Sequence, residues 1–257
     1  MCVSLNRLVS LAMLALGLSL TQPAAAVPQI QSWETANGAR VLFVEAPDLP
    51  MLDLRVVFDA GSARDAGRAG LAAMTANMLT QGAGDWDADE LAVRMEAVGA
   101  SLEASALRDM AYVATRTLTR EPALETSLET FAKVLAEPRF AAPDLERVRQ
   151  NTLTALRQEE QDPGTVAQKA LYREIYGDHP YAGPPNGTPE GVGALSREDL
   201  ATFHRQYYVA RNAVVALVGA VTRAQAEAIA ERITAGLPAG EPAPAPPDGP
   251  DLPAAKT

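Results

Sequence analysis

The chain has 257 residues, with 22 lysines and arginines against 32 aspartates and glutamates, and a formal net charge of −10. An acidic chain with no basic cluster excludes the electrostatic footprint of a nucleic-acid binder and of a protein held to an anionic membrane surface. Its one cysteine is Cys2, so the body of the protein has neither a disulfide framework nor a catalytic thiol.

The N-terminus reads as a leader. Arg7 supplies a short positive region, "LVSLAMLALGLSL" an apolar run, and Ala24 and Ala26 the small residues of a cleavage site. Residues 1–26 are expected to be a signal peptide that directs the protein to the periplasm or the exterior. The run is short for a membrane span, so no membrane insertion is expected after cleavage.

In "IQSWETANGARVLFVEA" the dipeptide Asn37-Gly38 lies between two strand-like runs, the pair favoured by a type I′ hairpin turn. "MLDLRVVFDAGS" alternates Leu52, Leu54, Val56 and Phe58 against Asp53, Arg55 and Asp59, which predicts a strand with one face in the core. "ARDAGRAG" then leads into "GLAAMTANML", residues 70–79, which reads as the first turns of a helix and carries no charge. A second helix starts at Asp87, with Glu90 in capping-box position, and runs to about Val98.

Two strands follow, "ASLEASALR" and "MAYVATRTLT", joined by a tight turn near Arg108-Asp109. Helices are predicted over roughly 121–136, 143–161 and 164–177, with Pro122 and Pro143 near helix starts. "GDHPYAGPPNGTPEGVGAL" holds too many Gly and Pro residues for either regular element and is expected to be a structured loop. A helix near 197–207, the apolar strand "NAVVALVGAV" and a last helix near 223–235 complete one domain over 27–236. Strands in blocks, then helices, then a late strand, give an α+β layered fold; a doubly wound parallel sheet would alternate more regularly. Residues 237–257, "LPAGEPAPAPPDGPDLPAAKT", have no apolar period and read as a Pro/Ala-rich linker, which suggests a chain cut from something longer.

No local motif in the chain supplies a reaction centre. His179 and His204 belong to no H-x-x-x-H or H-x-x-E-H pair, zinc sites want three or four convergent ligands, and a structural role is expected for both. No G-x-S-x-G elbow is present. Glu159-Glu160 and Asp85/Asp87/Asp89 read as solvated charge, and "GDWDADE" lacks the glycine and terminal glutamate of a calcium loop. Gly61, Gly67 and Gly70 come without a GK[ST] or a G-x-G-x-x-G.

The spacing of "GSARD…GRAGLA", of "DHPY…GT…L" and of the closing "N…VGAV" strand resembles the M16 metallopeptidase family, the pitrilysin, insulinase and mitochondrial processing peptidase group. The matching stretches cover most of residues 30–236. The resemblance implies a mostly antiparallel sheet with helices packed on one face. In active members a helix carries an inverted zinc motif, H-x-x-E-H, whose histidines bind the metal while the glutamate acts as general base. With "GLA" fixing the register, the first histidine falls on Ala73, the base on Ala76 and the second histidine on Asn77; a later metal-binding glutamate falls at about Thr154. The resemblance therefore implies vestigial zinc-site positions, no catalytic residue and no metal in this chain. It further implies a non-catalytic subunit of a heteromeric periplasmic zinc endopeptidase, one that closes the substrate chamber and binds extended peptide. The zinc is expected in a homologous zinc-bearing partner subunit. The second reading is a structural or peptide-binding module with no role in proteolysis. Family chains carry two such αβ units, so the linker is expected to lie before a missing second unit.

Overall fold

The alternation in strand β3 (Met51–Phe58) organises the sheet: Leu52, Leu54, Val56 and Phe58 are buried, while Arg55 is exposed on the other face. In the computed structural model, which describes residues 29–250, β3 pairs antiparallel with β7 (Ala111–Leu118) on one side and with β8 (Ala213–Gly219) on the other. The expected signal peptide at 1–26 lies outside the described residues, as do residues 251–257. Strand β6 (Ser101–Ala106) pairs antiparallel with β7, β2 (Arg40–Glu45) runs parallel to β8, and β1 (Gln31–Glu34) pairs antiparallel with β2. The order is β1-β2-β8-β3-β7-β6, with a small ribbon of β4 (Gly82–Ala83) and β5 (Trp86–Asp87) beside it. The late strand thus sits at the centre, and β6 is a free edge of the sheet among the described residues.

Helices α1 (Leu71–Leu79), α2 (Ala88–Glu96), α3 (Ala123–Ala136), α4 (Ala142–Glu159), α5 (Pro163–Tyr176), α6 (Pro189–Ala194), α7 (Arg197–Tyr207) and α8 (Arg223–Thr234) follow in chain order. The core lies between the helices and one sheet face. The opposite face carries self-paired charge, with Arg116 on Asp53 at 2.6 Å and Arg55 on Glu103 at 3.3 Å. This is the α+β fold expected, a mostly antiparallel sheet with helices packed on one face. No described helix is long and apolar enough to cross a membrane.

The capping box is present at the start of α2, where Asp87 and Glu90 exchange backbone N–H bonds at 2.9 Å. Three segments depart from expectation. The β1–β2 connection is a wider loop than a two-residue turn, closed by Gly38 N–H on the Thr35 carbonyl, because Asn37 turns its amide onto the carbonyls of Thr234 and Leu237. The Gly/Pro-rich stretch contains helix α6: the Thr188 hydroxyl accepts from Gly191 N–H, and Pro189 takes the first helical position, where its missing N–H leaves nothing unpaired. Residues 237–250 have no helix or strand, yet Leu237 is buried and the carbonyls of Pro238 and Ala239 accept from Ala210 and Arg211.

His204 has the structural role expected of it. Its ring stacks on Tyr208 at 4.8 Å, lies edge-on to Phe140 and bonds the Leu135 carbonyl at 2.9 Å through Nε2. Burial lowers its pKa from 6.5 to about 4, with a smaller push from Arg205. A histidine buried neutral stabilises the fold above its ordinary pKa, and that contribution is lost as pH falls from 6.5 towards 4. His204→Gln should flatten the stability curve over that window, by on the order of 3 kcal/mol at its acid end. Urea unfolding at a series of pH values measures this.

Candidate functional site

Helix α1 starts without a capping side chain of its own. Its N-cap is Gly70, at φ 95°, and the helix contains no acidic or basic residue. The missing acceptor comes from Asp65, five residues upstream, whose two carboxylate oxygens accept from Gly70 N–H and Ala72 N–H, each at 2.8 Å. This satisfies donors that every helix start leaves open and sets a negative group at the positive end of the helix dipole. Asp65 is itself buried. That burial pushes its carboxyl up to about 6, against the opposing pull of the backbone N–H groups and of Arg68.

Two glycines let the Gly/Pro-rich loop press on this helix start. A Cβ on Gly187 would lie 2.6 Å from Gly70 Cα, and one on Gly70 would lie 2.8 Å from a Val192 methyl. Both residues have positive φ, so neither position accepts a side chain easily. Below the loop, a cleft of about 300 Å³ opens between Ser62, Asp65 and Gly67 on one wall and Asp178, His179 and Pro184 on the other.

From this anchor α1 runs beneath β6 and β7, against α4 and α7. Every residue of the helix is buried except Asn77. Ala73 and Ala76 are buried, and Ala73 and Asn77 are one turn apart on one face. Two contacts set α1 antiparallel to α4: the Thr152 hydroxyl, which donates to the Val148 carbonyl, lies 3.5 Å from Met74 Sδ, and Arg147 Nη2 donates to Gln81 Oε1 at 2.7 Å. Thr154 lies on the same face of α4 as Arg147, two turns further on, which puts it level with Ala73 in that register. It is exposed, with its hydroxyl donating to the Gln150 carbonyl and accepting from Arg157.

At the crossing of the two helices these four positions supply two methyl groups, an amide and a hydroxyl. That set does not fit zinc, which takes thiolate, imidazole and carboxylate ligands, and it contains no base for a water molecule. Among the described residues, no group of three or more His, Cys, Asp and Glu side chains converges as a metal site. The two features that shape the site, Asp65 and the free β6 edge, are not visible as motifs. An acid a few residues before an uncharged, uncapped helix start is the signal that points to the first.

The raised Asp65 pKa has a definite sign. Below about pH 4 the group is protonated in both folded and unfolded chains; as pH rises towards 6 the unfolded chain releases its proton first, so folding loses stability through this group. In Asp65→Asn that loss should be absent between pH 4 and 6, while Asp65→Ala should cost about 1–3 kcal/mol at every pH because backbone donors are left bare. Chemical unfolding of the three proteins across that range is the check.

The family model for insulinase (peptidase family M16) matches residues 40–188, and that for the peptidase M16 inactive domain matches residues 194–257. An uncharacterized zinc protease of Mycobacterium leprae is 29% identical over 187 residues, 72% of this chain and 41% of its own length. The non-peptidase homolog YmxG of Helicobacter pylori is 26% identical over 180 residues, 70% of this chain and 41% of its own. The crystal structure of a peptidase M16 inactive domain from Pseudomonas fluorescens superposes with a TM-score of 0.84 at 38% identity, over 86% of this chain and 54% of that one. The chain thus spans about half the length of these relatives. With its fold and family-model matches taken together, the chain belongs to the insulinase family of peptidases, family M16.

Proposed function

We propose that this protein is a non-catalytic M16 module that binds an extended peptide for a homologous, zinc-bearing partner subunit and helps to close the chamber in which the partner cuts it. The observation that carries this reading is the pairing of a free edge strand with an emptied helix. β6 offers unpaired backbone groups to an incoming strand, and α1 beneath it carries Ala73, Ala76 and Asn77 where the family register places the zinc histidines and the base. Thr154, at the expected position of the later metal-binding glutamate, is equally unable to hold the ion. The peptide-binding half of a peptidase is thereby retained without its chemistry, and the zinc belongs to the partner.

The helix is compatible with that loss because all of its residues but Asn77 are buried. A zinc-binding cluster left without metal would bury unpaired charge, at a cost of several kcal/mol. Small neutral side chains avoid that cost. The proposed location is the periplasm, on the strength of the leader-like residues 1–26. The proposed organisation is that leader, an αβ domain over 27–236 and a connecting segment beyond it. A second reading, a structural or peptide-binding module with no role in proteolysis, draws support from the similarity to YmxG and predicts peptide binding without any effect on a peptidase.

The test uses the purified chain with a zinc-bearing M16 homologue from the same organism and a fluorescent extended peptide. The chain alone should bind the peptide, and N-methylation of alternate peptide amides should weaken binding about tenfold by removing ladder hydrogen bonds. Adding the chain to the homologue should raise chelator-sensitive cleavage. Binding insensitive to N-methylation contradicts strand addition, and unchanged cleavage favours the second reading.

A further inference from the structure

The segment after α8 reads PAGEPAPAPPDGP over residues 238–250, the composition of a free spacer, but its backbone is anchored along the domain. Besides the Pro238 and Ala239 carbonyls, Gly240 lies so close to Val209 that an added Cβ would fall 2.4 Å from that side chain. Ala243 N–H then donates to Asn212 Oδ1 at 3.0 Å. Further along, the Pro247 carbonyl meets His179 Nε2 at 3.1 Å.

The geometry around His179 defines what that contact is. Its Nδ1 accepts from Tyr181 N–H at 3.1 Å, which leaves the ring proton on Nε2, so the ring donates to the Pro247 carbonyl. The ring sits edge-on to Tyr181 at 4.7 Å and against Tyr176 at 5.8 Å, and Tyr176 in turn lies 5.5 Å from Tyr172. A run of aromatic rings with one outward N–H donor is the surface that recognises proline-rich chain. Such chain has few N–H groups, keeps its carbonyls free and is already extended, so little conformational entropy is lost on docking.

We propose that Tyr176, His179 and Tyr181 form a docking surface for a proline-rich segment, and that its occupant is residues 244–250 of this same chain. The segment then works as a strap. One end is fixed at Ala210–Asn212, and the other holds the Gly/Pro-rich loop that presses through Gly187 on Gly70, at the start of α1. His179 is also a wall of the cleft that Asp65 lines, so release of the strap loosens the loop over that cleft.

Endoproteinase Glu-C, which cuts after acidic residues, reads the strap directly at Asp248. His179→Ala in the full chain should speed cleavage there by about threefold, since cutting of a transiently released segment follows the equilibrium that one net hydrogen bond controls. Replacing Pro244, Pro246 and Pro247 together by glycine should raise amide hydrogen exchange across residues 178–187 while leaving exchange in β3 unchanged. Equal cleavage rates in the parent and His179→Ala proteins overturn the proposal, as does unaltered loop exchange in the triple variant.

Discussion

The Asp65 carboxylate is the interaction on which the site depends. Helix α1 has no charge of its own and starts at a glycine, so nothing within it answers the open N–H groups of its first turn. Asp65 does so from outside the helix, and it is buried to reach them. That single contact fixes where α1 begins. Through Gly70 and Gly187 it also fixes how closely the Gly/Pro-rich loop can approach. From there the helix passes under the sheet edge and packs against α4.

Two buried ionisable groups give the fold opposing responses to acid. The carboxyl of Asp65 is held above its ordinary range by desolvation, and the imidazole of His204 is held below its own by the same cause. Between about pH 4 and 6 the first favours folding at the acid end and the second at the neutral end, so their contributions partly offset. Both are matters of support: one holds a helix start, the other fills space between α3 and α7. Neither side chain has the neighbours that metal binding would require.

The sheet was legible because β3 must bury one face, and a period of two in Leu52, Leu54, Val56 and Phe58 admits no other arrangement. Helix α2 was equally legible, since Asp87 and Glu90 spell out their reciprocal bonds in local sequence. What escaped did so for two different reasons. Helix α6 forms among glycines and prolines because Thr188 and Pro189 are suited to a helix start, a local signal outweighed by composition. The anchoring of residues 237–250 relies on carbonyls meeting Ala210 and Arg211, which no periodicity announces. The likeness to M16 peptidases was readable from motif spacing across the chain, whereas the capping by Asp65 and the free edge of β6 needed the three-dimensional arrangement.

The proposed loss of metal chemistry at the α1–α4 crossing is open to direct measurement. Metal analysis of the purified full chain after exposure to excess zinc and gel filtration provides it. The chain should retain far less than one zinc per molecule, with no chelator-sensitive cleavage of an extended peptide. One tightly held zinc per chain, accompanied by cleavage that a chelator abolishes, would contradict that loss.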